Sequence, residues 1–514
     1  MQVPQPFQVL RKLSNGTYPA ALTVIFLSVG GLLAAHHEMW RDEIQAWLLA
    51  RDSTSVIDLF RNLKYEGHPG LWHLCLMPLS RITASPVIMQ VFHLMLAATT
   101  VYVVTRFSPF SRMQKFLFAF GYFALYEYAV VCRNYAPGLL LLCLFCAHFQ
   151  HRYAKFLRVG VILLLLAHTS AHALILTIVI GGALFLDYLV VGRKVQRQVG
   201  WNEREIWIGF ALIAFGIMTA VIQLKPPADT GFAVGWFWRY DPNRLQSAVK
   251  LITNAYLPVP EGKLHFWGSN VLGTYPFFRR YQLPLCYLLI GWFSLAMLRR
   301  PTALLMYLGG TFGLLSFFYV KYPGSIRHHG FLFLLLMTVC WIYRYCPTLE
   351  YRPVGWLGSL WEKSIRPLFT LLLAFHVAGA FNAARMDYQH TFSQGKAVAA
   401  YIEAQDLADL PIVGHGDFAA STAVGYLERD KVFYPRGSRF GSFIVWDKAR
   451  TADASNEQVL EAAANLNRET GQPVLLLLNY ALNPQWAEAH HLTELSRFVG
   501  STIGDESFYL YIMR

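Results

Sequence analysis

Long apolar runs separated by short basic clusters set the layout of this chain. A hydrocarbon core about 30 Å thick asks for about 20 apolar residues per helix. Eleven such spans are predicted, over 19–37, 86–105, 114–131, 134–150, 154–170, 171–191, 205–224, 283–298, 302–320, 329–345 and 367–384. The fifth and sixth share one unbroken stretch, divided at the polar HTSAH (His168 to His172) because a single helix of that length overshoots the bilayer. A further apolar stretch, 69–83, is short and holds Pro69 and Pro78, so it is expected to rest at the interface without crossing. The first run follows Arg11 and Lys12 but lacks a small-residue cleavage site, and it reads as an uncleaved first span.

From Arg385 onward the pattern changes. Apolar runs shrink to strand length (Leu410 to Val413, Phe443 to Trp446, Val474 to Leu478, Phe508 to Ile512) and alternate with helical patterns. In SNEQVLEAAANLN, Ser455 and Gln458 fit a capping box and Gly471 follows the helix. The expected architecture is a polytopic α-helical membrane domain, 1–384, followed by a soluble α/β domain, 385–514, with no dinucleotide or P-loop motif.

Composition agrees: 55% of the residues are hydrophobic and only 15% charged, which places the chain among polytopic membrane proteins. The net charge of +13 does not point to nucleic acid, because the basic residues fall in clusters between the apolar runs. With a cytoplasmic N-terminus, the groups at Arg106–Lys115, Arg152–Arg158, Arg193–Arg204, Arg299–Arg300 and Arg344–Lys363 all land inside. The opposite side receives a first loop over 38–85, a large loop over 225–282, and the C-terminal domain. The seven cysteines form no zinc-like pairs and read as free thiols.

The chemistry is concentrated in that first outer loop. WRDEIQAWLLARDS carries Asp42 and Glu43 at a membrane surface, where unused carboxylates are costly. One acidic residue suffices to complement a helix N-terminus. Asp42 is therefore read as a general base with a pKa raised by its apolar setting. Glu66 and His68 follow, pinned by Pro69. With Asp42 they have the types to bind a divalent metal, but the spacing is a weak metal signal. Arg133 and Tyr135 occupy a hairpin on the side where topology gives an arginine no reason to be, so they are read as anion-binding. The same argument covers Lys321, Arg327, His328 and His329 at an outward helix entry, where a phosphate is the natural ligand. Arg239 and Asp241 are a weaker pair, and His168 and His172 are expected to satisfy loop carbonyls.

In this order, an acidic pair in the first outer loop, a following HP, an R-x-Y hairpin after the third span, and a large loop after the seventh resemble the GT-C class of integral membrane glycosyltransferases. The protein O-mannosyltransferase and lipid A aminoarabinose transferase branch is the most similar. The resemblance covers residues 1–384. It implies inverting transfer of a hexosyl or pentosyl group from a polyprenyl-phosphate donor to a glycan, lipid or protein acceptor at the outer membrane face. It also implies that Asp42, or its neighbour Glu43, is the base, and that Arg133 and Tyr135 line the donor pocket. Many relatives carry an acid two or three positions after that tyrosine, whereas this chain has Pro137 and Gly138, so neither metal nor other cofactor is assigned. Arg327 and His328 are assigned to the lipid phosphate on physical grounds. The absence of a luminal targeting or retention signal points to a bacterial inner membrane. Rival readings are a lipid or glycan transporter, a lipid-linked oligosaccharide ligase, and a scaffold in which Asp42 is dispensable.

Overall fold

A computed structural model describes residues 5–192, 202–348 and 355–514, and side chains within 16–192, 202–348 and 360–514. Arg193, Lys194, Arg197 and Arg352, and the side chains of Arg11 and Lys12, lie outside the described residues. Among these residues seven helices are long and apolar enough to cross a membrane: Gly16–His36, Val87–Phe107, Ala171–Gly192, Glu203–Gln223, Pro301–Val320, Ile326–Tyr345 and Leu360–Gln389. By length and composition the chain is an integral membrane protein.

The remaining predicted spans also fall on helices, but with different forms. Tyr135–Phe149 and Phe156–Ala167 are shorter, and the run near 283–298 belongs to a helix that starts earlier, Pro276–Met297. The run over 114–131 is not one α-helix. It breaks into Arg112–Ala119 and a π-helical segment, Tyr122–Val130, whose Tyr128 leaves helical geometry at φ −122°. The split at HTSAH holds: one helix ends at Ala167 and the next starts at Ala171, where the Ser170 side chain accepts from the Ala173 N–H. The stretch 69–83 forms the ten-residue helix Leu71–Ser80, about 15 Å long and too short to cross.

Ile326–Tyr345 is apolar on every side, and it is buried along most of its length at the centre of the bundle. The bundle has two distinct ends. At one, Arg152 pairs with Asp187 at 3.0 Å, Asp187 accepts from Thr302 at 2.8 Å, and Arg300 reaches the Cys346 carbonyl. At the other, Leu71 N–H donates to the His168 carbonyl, Gly70 N–H to Gln223, and Phe237 N–H to Val320. This second end carries the first loop, the 225–282 loop and the α/β domain.

That domain is a six-stranded sheet ordered β3-β2-β1-β4-β6-β5, formed by β1 (Ile412–Gly414), β2 (Val432–Tyr434), β3 (Arg439–Gly441), β4 (Val474–Leu478), β5 (Leu492–Phe498) and β6 (Phe508–Met513). β2, β1 and β4 run parallel, and β3, β6 and β5 are antiparallel additions. All five β4 residues are buried, because both faces of the sheet are covered. Leu475 and Leu477 meet the helices Gly395–Ala404 and Asp417–Tyr426, whereas Val474, Leu476 and Leu478 meet Asn456–Thr470. Ser455 and Gln458 form the expected capping box, and Gly471 ends that helix at φ +66°. Phe443–Trp446, predicted as a strand, pairs with none. Its Ile444 backbone is instead held by a side chain of the first loop: Ile444 N–H donates to Gln45 Oε1 (2.9 Å), and Gln45 Nε2 donates to the Ile444 carbonyl (2.8 Å).

Candidate active site

The loop helix Arg41–Asp52 is buried from Glu43 to Arg51 and carries Asp42 in its first turn. Three separate elements fasten it. Glu43, fully buried, accepts from Trp40 N–H (3.1 Å), from the Cys132 N–H of the hairpin (2.5 Å), and meets His37 Nε2 (3.1 Å). His37 in turn meets Asp387 (2.9 Å) at the end of the last span. Burial disfavours the His37 imidazolium, but Asp387 and Glu43 on either side hold its pKa well above the ordinary value. Both oxygens of Glu43 are engaged: Oε1 holds the hairpin, and Oε2 holds the start of its own helix and His37. From the α/β domain, Glu506 accepts from the Arg41 N–H (3.1 Å), Asp505 pairs with the Arg41 guanidinium (2.6 Å), and Tyr426 Oη accepts from Met39 N–H (2.8 Å).

Held this way, the Asp42 carboxylate is about a third exposed and meets two arginines from distant parts of the chain. Arg327, at the start of the central span, lies 3.1 Å from Asp42 Oδ2, and Arg133 of the hairpin lies 3.5 Å from the same oxygen. Arg133 also donates to the Asp42 backbone carbonyl. Burial alone would raise the Asp42 pKa, as anticipated above. The guanidinium charges of Arg133, Arg327 and Arg41 outweigh it, and the carboxyl is held below its usual value. The sequence-based direction was therefore wrong, because the sequence does not reveal the partners.

Each arginine is braced. The Arg327 guanidinium packs against the rings of both Trp40 (5.2 Å) and Trp267 (5.0 Å), which meet edge-on, and the Tyr128 hydroxyl donates to the Arg327 carbonyl (2.6 Å). Trp267 Nε1 donates to Glu127 (3.2 Å), which also accepts from Tyr122 (2.9 Å). The Arg133 guanidinium lies 6.0 Å from the Tyr135 ring, while the His93 ring lies 3.1 Å from the Arg133 carbonyl. Such bracing fixes a cation before any ligand arrives.

Tyr135 is buried at the back of the cluster, with its ring 6.4 Å from His68 and 5.5 Å from His328. Burial and the Arg133 charge push the His68 pKa down to about 3, so this imidazole is neutral. Glu66 accepts from Gln45 (2.7 Å), and burial raises it to about 7. Two arginines therefore face one carboxylate, a pair of guanidiniums placed to meet an anion.

The other cations expected here are directed elsewhere. His328 points its Nδ1 back at the Ser325 N–H (2.9 Å) as part of a helix cap. His329 Nε2 meets the Pro323 carbonyl (2.9 Å). Lys321 donates to the carbonyl of Val234 (2.9 Å) and neighbouring residues of the 225–282 loop. Only Arg327 of these four reaches Asp42. Asp241 caps the helix Pro242–Tyr256 and does not pair with Arg239. His168 meets the carbonyl of Leu164 within the preceding helix (3.2 Å), not a loop carbonyl, and His172 does not contact a loop carbonyl either. Its ring packs among Phe317, Phe318, His328 and Phe331. Among the described residues no three His, Cys, Asp or Glu side chains group as a metal cage.

Sequence reasoning missed Trp40, Trp267, Gln45 and Glu506. Trp40 and Gln45 stand in the same short segment as Asp42, two and three residues away; nothing local marks Trp267 or Glu506. No protein-family model matches the chain, and no curated protein is significantly similar to it, so the functional reading rests on the residues themselves.

Proposed function

We propose that this chain is a glycosyltransferase of GT-C type, with eleven spans, which moves a sugar from a polyprenyl-phosphate donor to an acceptor hydroxyl or amine. The observation that supports it is the convergence of one carboxylate, Asp42, with two braced arginines, Arg133 and Arg327, at the membrane end that carries the α/β domain. An inverting displacement needs a base at the acceptor and stabilisation of the phosphate that leaves, and preorganised cations supply the second.

In this reading Asp42 occupies the anion site until the donor arrives. The donor phosphate then draws the guanidiniums of Arg133 and Arg327 to itself. Relieved of part of that charge, Asp42 becomes more basic and takes the proton of the acceptor as the acceptor atom bonds to the anomeric carbon. The bond from that carbon to the phosphate oxygen breaks, and polyprenyl phosphate departs as the anion. Neutral His68 and buried Tyr135 line the pocket, and Glu43 keeps the Asp42 helix against the hairpin. The site end of the bundle would face the periplasm of a bacterial inner membrane, with the N-terminus cytoplasmic.

The test uses polyprenyl phosphate itself, without sugar. Arg327→Lys keeps the charge but loses the planar fork that Trp40 and Trp267 hold. Affinity measured in detergent or nanodiscs is expected to fall roughly 10- to 100-fold, the loss of one to two charge-assisted hydrogen bonds. Unchanged affinity would remove the phosphate from this site.

A further inference from the structure

The 225–282 loop contains a segment without helix or strand, Phe232–Tyr240, that the site chemistry leaves unused. Its sequence alternates large side chains at every second position: Phe232, Val234, Trp236, Trp238 and Tyr240. In extended backbone such positions share one side. All five are exposed, Trp238 at 76% and Tyr240 at 79% of their surface. Trp236 and Trp238 stack in parallel, with centroids 5.6 Å apart and planes within 5°. In water this is an unusually large apolar patch for a loop.

The segment is not free to find its own depth. Phe237 N–H donates to the Val320 carbonyl (2.6 Å), the Tyr319 hydroxyl donates to the Arg239 carbonyl (2.6 Å), and the Arg244 side chain packs on both Phe237 and Tyr319. Lys321 donates to the Val234 carbonyl (2.9 Å), with its ammonium over Trp236. These bonds fasten the segment to the last turn of the span Pro301–Val320 and to Lys321 just after it.

We propose that Phe232–Tyr240 is an interfacial ribbon that lies in the headgroup layer of the bilayer and binds phospholipid there. Tryptophan and tyrosine favour that boundary, where the ring is buried and its N–H or O–H stays wet. Arg239, exposed in the same segment, is placed to meet lipid phosphate. The occupant follows from continuity with the membrane-spanning surface: the stripe begins against Trp446 of the α/β domain, and from Val234 to Arg239 it is bonded to the residues that end the span. This inference needs the chain to be a membrane protein but does not need it to be a transferase.

The experiment places a nitroxide on Val234→Cys in the full chain, reconstituted in nanodiscs of phosphatidylcholine and phosphatidylglycerol. The unmodified chain, whose seven cysteines are buried or half-buried, gives the background labelling. Oxygen partitions into lipid and a nickel chelate stays in water. The ribbon predicts collision with oxygen several-fold more frequent than with the chelate, and a dependence on the lipid that disappears in detergent. As a second reading that needs no label, brominated acyl chains are expected to quench the emission of the native chain more than that of the Trp236→Phe, Trp238→Phe double variant. Preferential collision with the chelate overturns the proposal, as does equal quenching of the two chains. So does shielding of the label by soluble glycan in place of lipid.

Discussion

Glu506 offers the sharpest perturbation. It belongs to the α/β domain, is fully buried, and caps the helix that carries Asp42 through the 3.1 Å bond from Arg41 N–H. Burial pushes its pKa from 4.5 up to about 8, against the pull of the Arg41 charge. A carboxyl raised in this way keeps its proton in the docked state while the undocked state gives it up near 4.5. Below that pH the group contributes no pH dependence. As pH rises toward 8 the docked state loses stability relative to the undocked one, and the loss levels off above 8. At about 1.4 kcal/mol per unit the loss reaches roughly 2 kcal/mol at pH 6, roughly 3 at pH 7 and roughly 5 at the limit.

Glu506→Gln keeps the acceptor oxygen and removes the ionisation. Hydrogen exchange at the Arg41, Asp42 and Glu43 amides, corrected for intrinsic rates, reads the local opening directly. The native chain is expected to lose protection between pH 6 and pH 9 by up to about 100-fold relative to the variant, since each tenfold is about 1.4 kcal/mol. Parallel curves would show that Glu506 does not titrate between the two states, and the reasoning from its burial would fail.

Two other substitutions test the scaffold. Gln45→Ala removes the side chain that joins the Ile444 backbone to Glu66. It is expected to cost about 1–3 kcal/mol of unsatisfied backbone, seen as a lower Tm in detergent and faster proteolysis within 442–447. Gly330→Val adds atoms where even a Cβ would strike the Tyr128 hydroxyl and the Phe123 ring. About 1–3 kcal/mol of overpacking should appear in thermal unfolding, together with weaker polyprenyl-phosphate binding as Tyr128 releases the Arg327 carbonyl. A Tm unchanged in either variant would contradict the packing described.

Much of this arrangement is legible locally. Apolar windows locate the helices, HTSAH marks the break between two of them, and Ser455, Gln458 and Gly471 bound a helix through their own chemistry. Asp42, Arg133 and Arg327 stand out because charge at a membrane surface is costly. What escapes is whatever depends on distant partners. Phe443–Trp446 has strand composition, yet a glutamine side chain nearly 400 residues away takes its backbone bonds. β5 was missed because it lies at the sheet edge, where its sequence LTELSRF can stay polar. The run over 114–131 is mostly apolar, with Glu127 inside it, and its π-helical break becomes visible only with Tyr128 turned to the Arg327 carbonyl. Lys321 and His329 have the right charge in the right region, but backbone carbonyls claim them first.

The central claim is that Asp42 acts as the base of a sugar transfer. Membranes containing the native chain or Asp42→Asn, supplied with polyprenyl-phosphate donors carrying radiolabelled sugar, test it directly, because asparagine keeps the shape and removes the proton acceptor. Label is expected to pass to an acceptor with the native chain and to fall by roughly 100-fold or more with the variant. Equal transfer by the two chains would make Asp42 a helix-end residue and contradict the account.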